Sequence, residues 1–340
     1  MSFSASNLSK AFQTDERIKC LQNYETLIQE FAQLSETHPN RARAIRVLET
    51  LRKKKVPIRF GTGKLNTIHS LDTFPLILKE VTDHEASNIR LRDVLTFKEE
   101  ENSKPEQRTL FLTSFKEFQS DVGYAFSRDK SLYAVWDLQF NPHGDLAHKI
   151  SIPDEYKCGS VFKLLENGKP DLRATITPAG TISEPHIDQS GSGTLLIELQ
   201  GIKIFVIWPP SEKNLANFGP FDGFQKTGDL EALLEVLEKA ECLILEQGEC
   251  HLLEPGYIHG VLSPMNSAVA GVRVVRESLR TGAREVMEWE SAFIRKLKYG
   301  TTEEQQIAKG IEDQQQEDRA LWLQLHEIVV SGIPINETNK

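Results

Sequence analysis

The sequence predicts a mainly β fold with helical additions: a double-stranded β-helix (jelly-roll) core flanked by N-terminal and C-terminal helices. The middle of the sequence supplies short apolar segments separated by Gly, Pro and Ser. This rhythm suits packed antiparallel sheets better than alternating βαβ units. Apolar residues return at helical spacing toward both ends of the sequence. The apolar segments are residues 171–178, 193–199, 203–208, 242–246 and 267–275.

An N-terminal helical segment is predicted over residues 1–57. Apolar side chains recur at helical spacing over 21–34 and again over 44–51, which predicts two amphipathic helices. The second run ends in the basic stretch 52–55, and basic side chains suit a helix C-terminus because they complement its dipole. We therefore interpret this stretch as a solvated helix end and not as a nucleic-acid site.

The jelly-roll domain is predicted over residues 58–276, and a C-terminal helical segment over 277–340. Within the domain, 131–140 is rich in aromatic and β-branched residues and predicts a strand. Residues 110–122 predict an amphipathic helix or a strand followed by a helix, and an insertion carries helical spacing at 229–240. The C-terminal helices are expected to pack on the barrel or to form a homodimer contact.

The composition is that of a folded protein with neither a nucleic-acid partner nor a membrane span. With 340 residues, 39% of them hydrophobic, the protein can bury a substantial core. A formal charge of −9 argues against direct nucleic-acid binding, which needs clustered Lys and Arg, and would suit a basic partner. The 4 cysteines form no C-x-x-C pair, and we find no recognisable signal peptide and no apolar run of ~20 residues. We expect an intracellular protein with free thiols.

His186, Asp188 and His259 form a candidate metal centre. In a His-x-Asp pair on an extended segment, the period-two alternation points both side chains to one face. The later segment LEPGYIHGVLSP supplies His259. Two imidazoles and one carboxylate are the facial triad that holds non-haem Fe(II) while positions stay open for a co-substrate and O₂.

Lys203 and Ser183 form a candidate co-substrate site. Iron held by such a triad can take a 2-oxo acid, and the far carboxylate of 2-oxoglutarate then needs a cation and a hydroxyl group deeper in the barrel. Lys203 follows His186 by 17 residues, on the second strand along, and Ser183 precedes it by 3. A Lys within the apolar run IKIFVIW is costly unless it is paired with an anion. A solvent-facing position for Lys203 is an equal alternative from the spacing alone.

These residues resemble the motifs of the JmjC-domain family of Fe(II)- and 2-oxoglutarate-dependent dioxygenases, which includes histone demethylases and protein hydroxylases. The matching blocks are His186-x-Asp188, Gly201-x-Lys203-x-Phe205 leading to Pro209-Pro210, and Pro255-Gly256 followed by His259-x-Val261. The segment SEKNLANF resembles the demethylase subgroup linked to plant-homeodomain fingers. The resemblance covers residues 172–275, and three blocks in order are more specific than any one of them.

The resemblance implies a cupin-like jelly roll in which His186, Asp188 and His259 bind Fe(II) and in which Lys203, with Ser183, binds 2-oxoglutarate. The implied reaction couples oxidative decarboxylation of 2-oxoglutarate by O₂ to hydroxylation of a C–H bond in a side chain or in an N-methyl group. Hydroxylation of an N-methyl group releases formaldehyde. A protein substrate is implied, such as a histone tail, and a nuclear location is favoured over a cytoplasmic one.

Three departures from the family pattern concern co-substrate binding. The family often has Asn where Arg273 and Ser263 align, and a polar residue where Leu196 aligns. A buried Arg273 is expected to pair with Glu198 or Glu254, or to hold an altered co-substrate. If these changes weaken the co-substrate site, the alternative is a catalytically weak or inactive JmjC domain that serves as a chromatin-associated scaffold.

A third alternative for the function depends on His251, and two tryptophans are predicted to have no role in substrate binding. A non-oxygenase metal cupin, such as an isomerase, would use His251 as a ligand and should not need Lys203. Trp136 and Trp208 are predicted to be core residues and not a platform for substrate.

Overall fold

The computed structural model describes residues 16–34, 36, 38, 40–69, 71–83, 90–93, 99–100, 133–141, 143–188, 191–218 and 230–331. The segment predicted over 110–122 lies outside the described residues. The described strands are β1 Ile58–Phe60, β2 Gly63–Lys64, β3 Arg90–Asp93, β4 Glu99–Glu100, β5 Tyr133–Gln139, β6 Ser160–Phe162, β7 Arg173–Thr177, β8 Thr181–His186, β9 Gly193–Gln200, β10 Ile202–Trp208, β11 Glu241–Glu246, β12 Glu249–Leu253, β13 Ile258–Ser263 and β14 Ser267–Arg276. The described α-helices are α1 Glu16–Ala32, α2 Arg41–Lys53, α3 Asn66–His69, α4 Phe74–Asp83, α5 Asp154–Lys157, α6 Glu212–Phe218, α7 Leu230–Val236, α8 Arg280–Leu297 and α9 Thr302–Ser331.

Strands β7 to β14 form the double-stranded β-helix that the sequence predicts. They divide into two antiparallel sheets, with the order β12-β9-β14-β7 in one and β11-β10-β13-β8 in the other. Most strands that follow each other in the sequence therefore lie in opposite sheets, which is the jelly-roll topology. The predicted fold class, mainly β with helices at both ends, is confirmed.

Strands outside this barrel widen both sheets. The sheet that contains β8, β10, β11 and β13, which we call the minor sheet, is five-stranded because it gains β1, which lies parallel to β11. The other sheet, which we call the major sheet, contains β7, β9, β12 and β14. It is nine-stranded because it gains β2 beside β12, β6 beside β14, and the run β5-β3-β4 beside β7. Strand β5 falls within residues 131–140, so the strand predicted there is confirmed.

Apolar packing occurs inside the barrel and on the outer faces of both sheets. The cluster inside the barrel consists of Leu196, Phe205, Ile207, Leu243, Leu245, Leu253, Val261 and Val269. On the outer face of the minor sheet, Trp208 packs with the side chains of α1, α2 and α7, and it is fully buried as predicted. Strand β10 is buried along its whole length because its two faces point into these two clusters, which explains why its sequence is apolar except for Lys203.

The terminal helices pack against the barrel. Helices α1 and α2 share one apolar cluster with the minor sheet. Helix α9 contributes Leu321, Leu325 and Ile328 to a cluster with β6 and β14, and α8 packs on α9. The division of the protein into three units and a homodimer contact through the C-terminal helices stay predictions. None of the described helices combines the length and the apolar character that a membrane span requires.

Candidate metal centre and adjoining cavity

His186, Asp188 and His259 come together at one point of the barrel. Each offers a donor atom, and these atoms lie within 4.8 Å of one another. His186 Nε2 is 3.2 Å from Asp188 Oδ1, and His259 Nε2 is 3.6 Å from Asp188 Oδ2. The centroids of the two imidazole rings are 4.3 Å apart. The three residues predicted from the sequence as metal ligands therefore form one cluster.

A β-bulge that includes Pro185 turns His186 into the barrel. Strand β8 pairs with β13 through Ser183 opposite Val261 and through His186 opposite His259, so β8 has one extra residue between the two pairs. Because side chains alternate along a regular strand, the extra residue lets Ser183 and His186 face the same side although they are three residues apart. Proline fits a bulge because it has no N–H to donate to the ladder.

Backbone carbonyls orient both imidazole rings. His186 Nδ1 lies 2.7 Å from the Glu184 carbonyl, and His259 Nδ1 lies 3.3 Å from the Tyr257 carbonyl. Since a carbonyl only accepts, each Nδ1 donates, and in the neutral ring the lone pair is on Nε2, which faces Asp188. Burial lowers the pKa of His259 to about 4, so its ring is neutral at pH 7. Burial opposes the ionisation of Asp188, but the two imidazoles hold the pKa of Asp188 well below its usual value.

This donor set fits a divalent transition metal. Two neutral imidazoles and one carboxylate are the ligands of non-haem Fe(II) sites that keep positions open. The hydrogen bonds from Nδ1 to carbonyl groups are the outer contacts that metal-binding histidines usually make. The side chain of Asp188 is 34% exposed, so a metal ion can reach it from solvent.

A cavity of about 590 Å³ opens beside the three residues. Ser183, Leu196, Phe205 and Val261 line it, and Lys203 lies at its inner end. The register of β10 sets the depth of Lys203: Ile207 is opposite His259, so Lys203 lies four residues further, a distance of about 13 Å along the strand. The volume is that of a small-molecule pocket.

Lys203 is buried and faces the cavity, which excludes the solvent-facing alternative. Its exposed fraction is 2%, and its ammonium group donates a hydrogen bond of 2.8 Å to Thr177 Oγ1. Burial lowers the pKa of Lys203 to about 8, so the ammonium form still predominates at pH 7. An ammonium group has three N–H donors, so donors remain for an anionic ligand.

Hydroxyl groups surround the inner end of the cavity. Thr177 Oγ1 lies 2.9 Å from Ser263 Oγ and 2.9 Å from Ser267 Oγ. Ser263, which departs from the family pattern, is therefore part of this network. Thr177 is the hydroxyl partner of Lys203, a role that no sequence motif indicated. Ser183 lines the same cavity, and its role in co-substrate binding stays a prediction.

Strand β5 brings Trp136 and Asp137 to the cavity, so the core position predicted for Trp136 is wrong. Asp137 has a φ of 55°, in the left-handed region that Asp tolerates better than most residues. The pairing of β5 with β7 shifts register between Val135 and Leu138. Such a bulge lets two successive side chains face one side. The ring centroid of Trp136 lies 6.3 Å from that of His186.

Helix α9 forms one side of the cavity and holds the segment that carries Asp188. Gln314 Nε2 donates a hydrogen bond of 3.0 Å to the backbone carbonyl of Asp188. Asp318 accepts the N–H of Gly191 at 3.1 Å, and Trp322 Nε1 donates to the Gly191 carbonyl at 2.6 Å. The C-terminal helical segment therefore contributes to the candidate site, which its sequence pattern did not indicate.

Arg273 pairs with helix α9, so the partners predicted for it, Glu198 and Glu254, are wrong. Its Nη1 atom lies 2.7 Å from Glu317 Oε2 and 3.6 Å from Asp318 Oδ1. The register of β9 against β14 places Arg273 four residues from the level of Glu198, and Glu254 is exposed. Arg273 is therefore held at the cavity wall by helix α9, away from Lys203.

Replacing Arg273 with alanine is expected to lower the free energy of unfolding by about 3 kcal/mol, because it leaves one charge of a buried ion pair without its partner. Asp318 is fully buried and would lose this counter-charge. Urea denaturation at pH 7 measures the loss. The matched control is the double variant Arg273→Ala, Asp318→Asn, which should recover part of it. An unchanged unfolding energy in the single variant would contradict the structural role of the pair.

His251 lies outside the group of donor residues formed by His186, Asp188 and His259. Its Nδ1 atom is buried and has no hydrogen-bond partner among the described residues. Burial, with a smaller effect of Arg59, lowers the pKa of His251. The geometry therefore gives no support to the metal-cupin alternative, which would need His251 as a ligand.

Comparisons with known proteins find distant structural similarity. No protein-family model and no curated protein matches the sequence. Two solved structures of YcfD from Escherichia coli, one described as a ribosomal oxygenase, match 67% of this protein at 14% identity, with TM-scores of 0.34 and 0.33. The matches cover 49% and 51% of those chains, so this protein spans about half their length. This similarity is too low to transfer the role of any residue, and it does not bear on a histone substrate.

Proposed function

We propose that the protein is an Fe(II)- and 2-oxoglutarate-dependent dioxygenase of the JmjC type that hydroxylates a C–H bond of a protein side chain. One observation supports this most: a single cavity has the cluster of His186, Asp188 and His259 on its wall and the buried ammonium group of Lys203 at its inner end. A 2-oxo dicarboxylate has a chelating end for the first and an anionic end for the second.

His186, Asp188 and His259 would hold Fe(II), which would supply the chemistry that couples O₂ and 2-oxoglutarate to oxidation of a C–H bond of the substrate. Lys203 would hold the far carboxylate of 2-oxoglutarate by a charge-assisted hydrogen bond, with Thr177 fixing the position of the ammonium group. In a buried pocket such a contact is stronger than in water because the surroundings are less polar.

Residues on the walls of the cavity would bind the co-substrate, and residues at its mouth would bind the protein substrate. Leu196 and Phe205 offer apolar surface to the methylene groups of the co-substrate and exclude water there. Trp136 and Asp137 also line the cavity, with the Trp136 ring near that of His186, and they would face the substrate. Hydroxylation of an N-methyl group would demethylate the substrate. The net charge of −9 favours a basic peptide such as a histone tail, and a nuclear location goes with that substrate.

Anaerobic titration of 2-oxoglutarate into the Fe(II)-loaded protein tests the proposal. We expect a metal-to-ligand charge-transfer band in the visible absorbance, because the 2-oxo acid group and the iron share one site. Fe(II) bound without such a band would contradict the co-substrate role of the cavity. The alternative function, a catalytically weak JmjC domain acting as a chromatin-associated scaffold, would then be preferred.

A further inference from the structure

Glu198 is a buried carboxyl group that the proposed reaction does not use. It is 0% exposed, and neither carboxyl oxygen makes a hydrogen bond of normal geometry among the described residues. Thr194 and Leu196, which line the cavity, lie four and two residues before Glu198 on strand β9. Because residues two apart on a strand face the same side, the side chain of Glu198 faces the same interior. A carboxyl group in an apolar interior is costly unless it is neutral or lies near a cation.

Lys203 is the charged residue that acts on Glu198. Burial raises the pKa of Glu198 well above its usual value, and the ammonium group of Lys203 and the N–H of Ala268 offset this only in part. Both side chains are buried, and the described hydrogen bond of the Lys203 ammonium group goes to Thr177 and not to Glu198. The positive charge of Lys203 is therefore shared between Glu198 and any anion in the cavity.

The charged group on the neighbouring strand β12 is held by partners other than Glu198 and Lys203. On β12, Glu249 accepts the N–H of Glu246 and lies 4.0 Å from the ammonium group of Lys64. On β14, the residue opposite Glu198 is the apolar Val269. On β11, the interior position belongs to Leu245, next to Glu246 in the sequence. Glu198 and Lys203 are thus an electrostatically coupled pair in a buried site whose other polar groups are the neutral hydroxyls next to Lys203.

We propose that Glu198 sets the affinity of the cavity for dicarboxylate co-substrates by competing, when ionised, for the positive charge of Lys203. This inference rests on the proposed function, which places the far carboxylate of 2-oxoglutarate at Lys203. One ammonium group in a buried site stabilises two carboxylates less well than one, because their mutual repulsion is weakly screened there. Binding of 2-oxoglutarate therefore transfers a proton from solvent to Glu198.

The direction of the pH dependence follows from this proton uptake. The bound carboxylate raises the pKa of Glu198 above its value in the free protein, so the complex holds one more proton than its components. Affinity is therefore full at low pH and is lost as the pH rises through the pKa of Glu198 in the free site. Deprotonation of Lys203, whose pKa is about 8, adds a second loss at higher pH.

The test compares Glu198→Gln with the parent protein in anaerobic titrations of the Fe(II)-loaded forms between about pH 6 and about pH 8. We expect Glu198→Gln to bind 2-oxoglutarate as tightly as the parent where Glu198 is protonated, and to gain about tenfold over the parent for each pH unit above the pKa of Glu198 in the free site. The control ligand is 2-oxovalerate, which has the same number of carbon atoms without the far carboxylate and should not distinguish the two proteins.

The outcomes separate this inference from the proposed function. Identical pH profiles for the parent and Glu198→Gln would overturn the inference alone. Absence of 2-oxoglutarate binding to the parent at every pH would overturn the proposed function as well. If Glu198→Gln does not fold, Glu198→Met removes the same charge without adding a polar group, and it should bind 2-oxoglutarate more tightly in the same way.

Discussion

An alanine in place of His186 is expected to abolish both iron retention and turnover of 2-oxoglutarate. Loss of a hydrogen-bond partner of a metal ligand typically costs 10–100-fold in metal affinity, so loss of the ligand itself should cost more than ~10²-fold. His186 lines the cavity, so its removal enlarges an existing space and does not open a new one in the core, and the fold should persist. Metal analysis after gel filtration and an assay of 2-oxoglutarate consumption measure the two effects.

The matched control for His186→Ala is His251→Ala. His251 is also partly buried and lies near the barrel wall, but it is outside the cluster of donor atoms. The His251 variant should keep its iron and its turnover. Iron retained at full stoichiometry by His186→Ala would refute the assignment of the three ligands.

Methionine in place of Lys203 is expected to raise the 2-oxoglutarate concentration needed for turnover by ~10²-fold, which corresponds to about 3 kcal/mol for the loss of a buried charged contact. Methionine keeps most of the volume of the lysine stem, so the packing of β10 should change little. Iron binding should be unchanged, because Lys203 lies four residues along β10 from the level of His259. Steady-state kinetics and metal analysis separate these two results.

Lys163→Met is the matched control for Lys203→Met. Lys163 lines the same cavity, but its side chain is 28% exposed and its ammonium group lies 2.8 Å from Glu317. Its loss should leave the 2-oxoglutarate requirement as it is, because the ammonium group is already engaged by two carboxylates of the protein, Glu317 and, at 3.7 Å, Asp171. An unchanged requirement in Lys203→Met would show that the far carboxylate binds elsewhere.

The barrel and its principal polar residues could be predicted because they depend on local patterns. Alternating or continuous apolar segments mark the strands, and a His-x-Asp pair keeps its two side chains close together. Lys203 was recognisable because a charged residue inside the apolar run of β10 is unusual, although the spacing alone did not distinguish a buried from an exposed position. Its burial depends on both faces of β10 being covered, which a single strand does not reveal.

Two bulges explain what the strand periodicity did not predict. With regular alternation, Ser183 and His186 would face opposite sides of β8, and the extra residue near Pro185 is what brings them together. The bulge at Asp137 likewise lets Trp136 and Asp137 both line the cavity, where regular alternation would turn one of them away. A proline within a strand and an aspartate within an aromatic strand were the available signals for these bulges.

The remaining contacts that the sequence did not predict join residues that are far apart in the sequence. Arg273 and Asp318 belong to β14 and α9, and nothing in the local sequence of either segment indicates that they meet. The position of Gln314 against Asp188 depends in the same way on how α9 packs across the barrel. Glu198 could be assigned to a strand, but its distance from Lys203 depends on how the two sheets pack against each other. Such contacts follow from tertiary packing and not from periodicity.

The contacts of helix α9 with Asp188 and Gly191 also determine when the site is completed during biosynthesis. The polypeptide emerges from the ribosome N-terminus first, and the last barrel strand ends at Arg276. Gln314 and Trp322, which hold Asp188 and Gly191, are made later. A nascent polypeptide can therefore close its barrel before Gln314 and Trp322 are available to hold Asp188 and Gly191 in place.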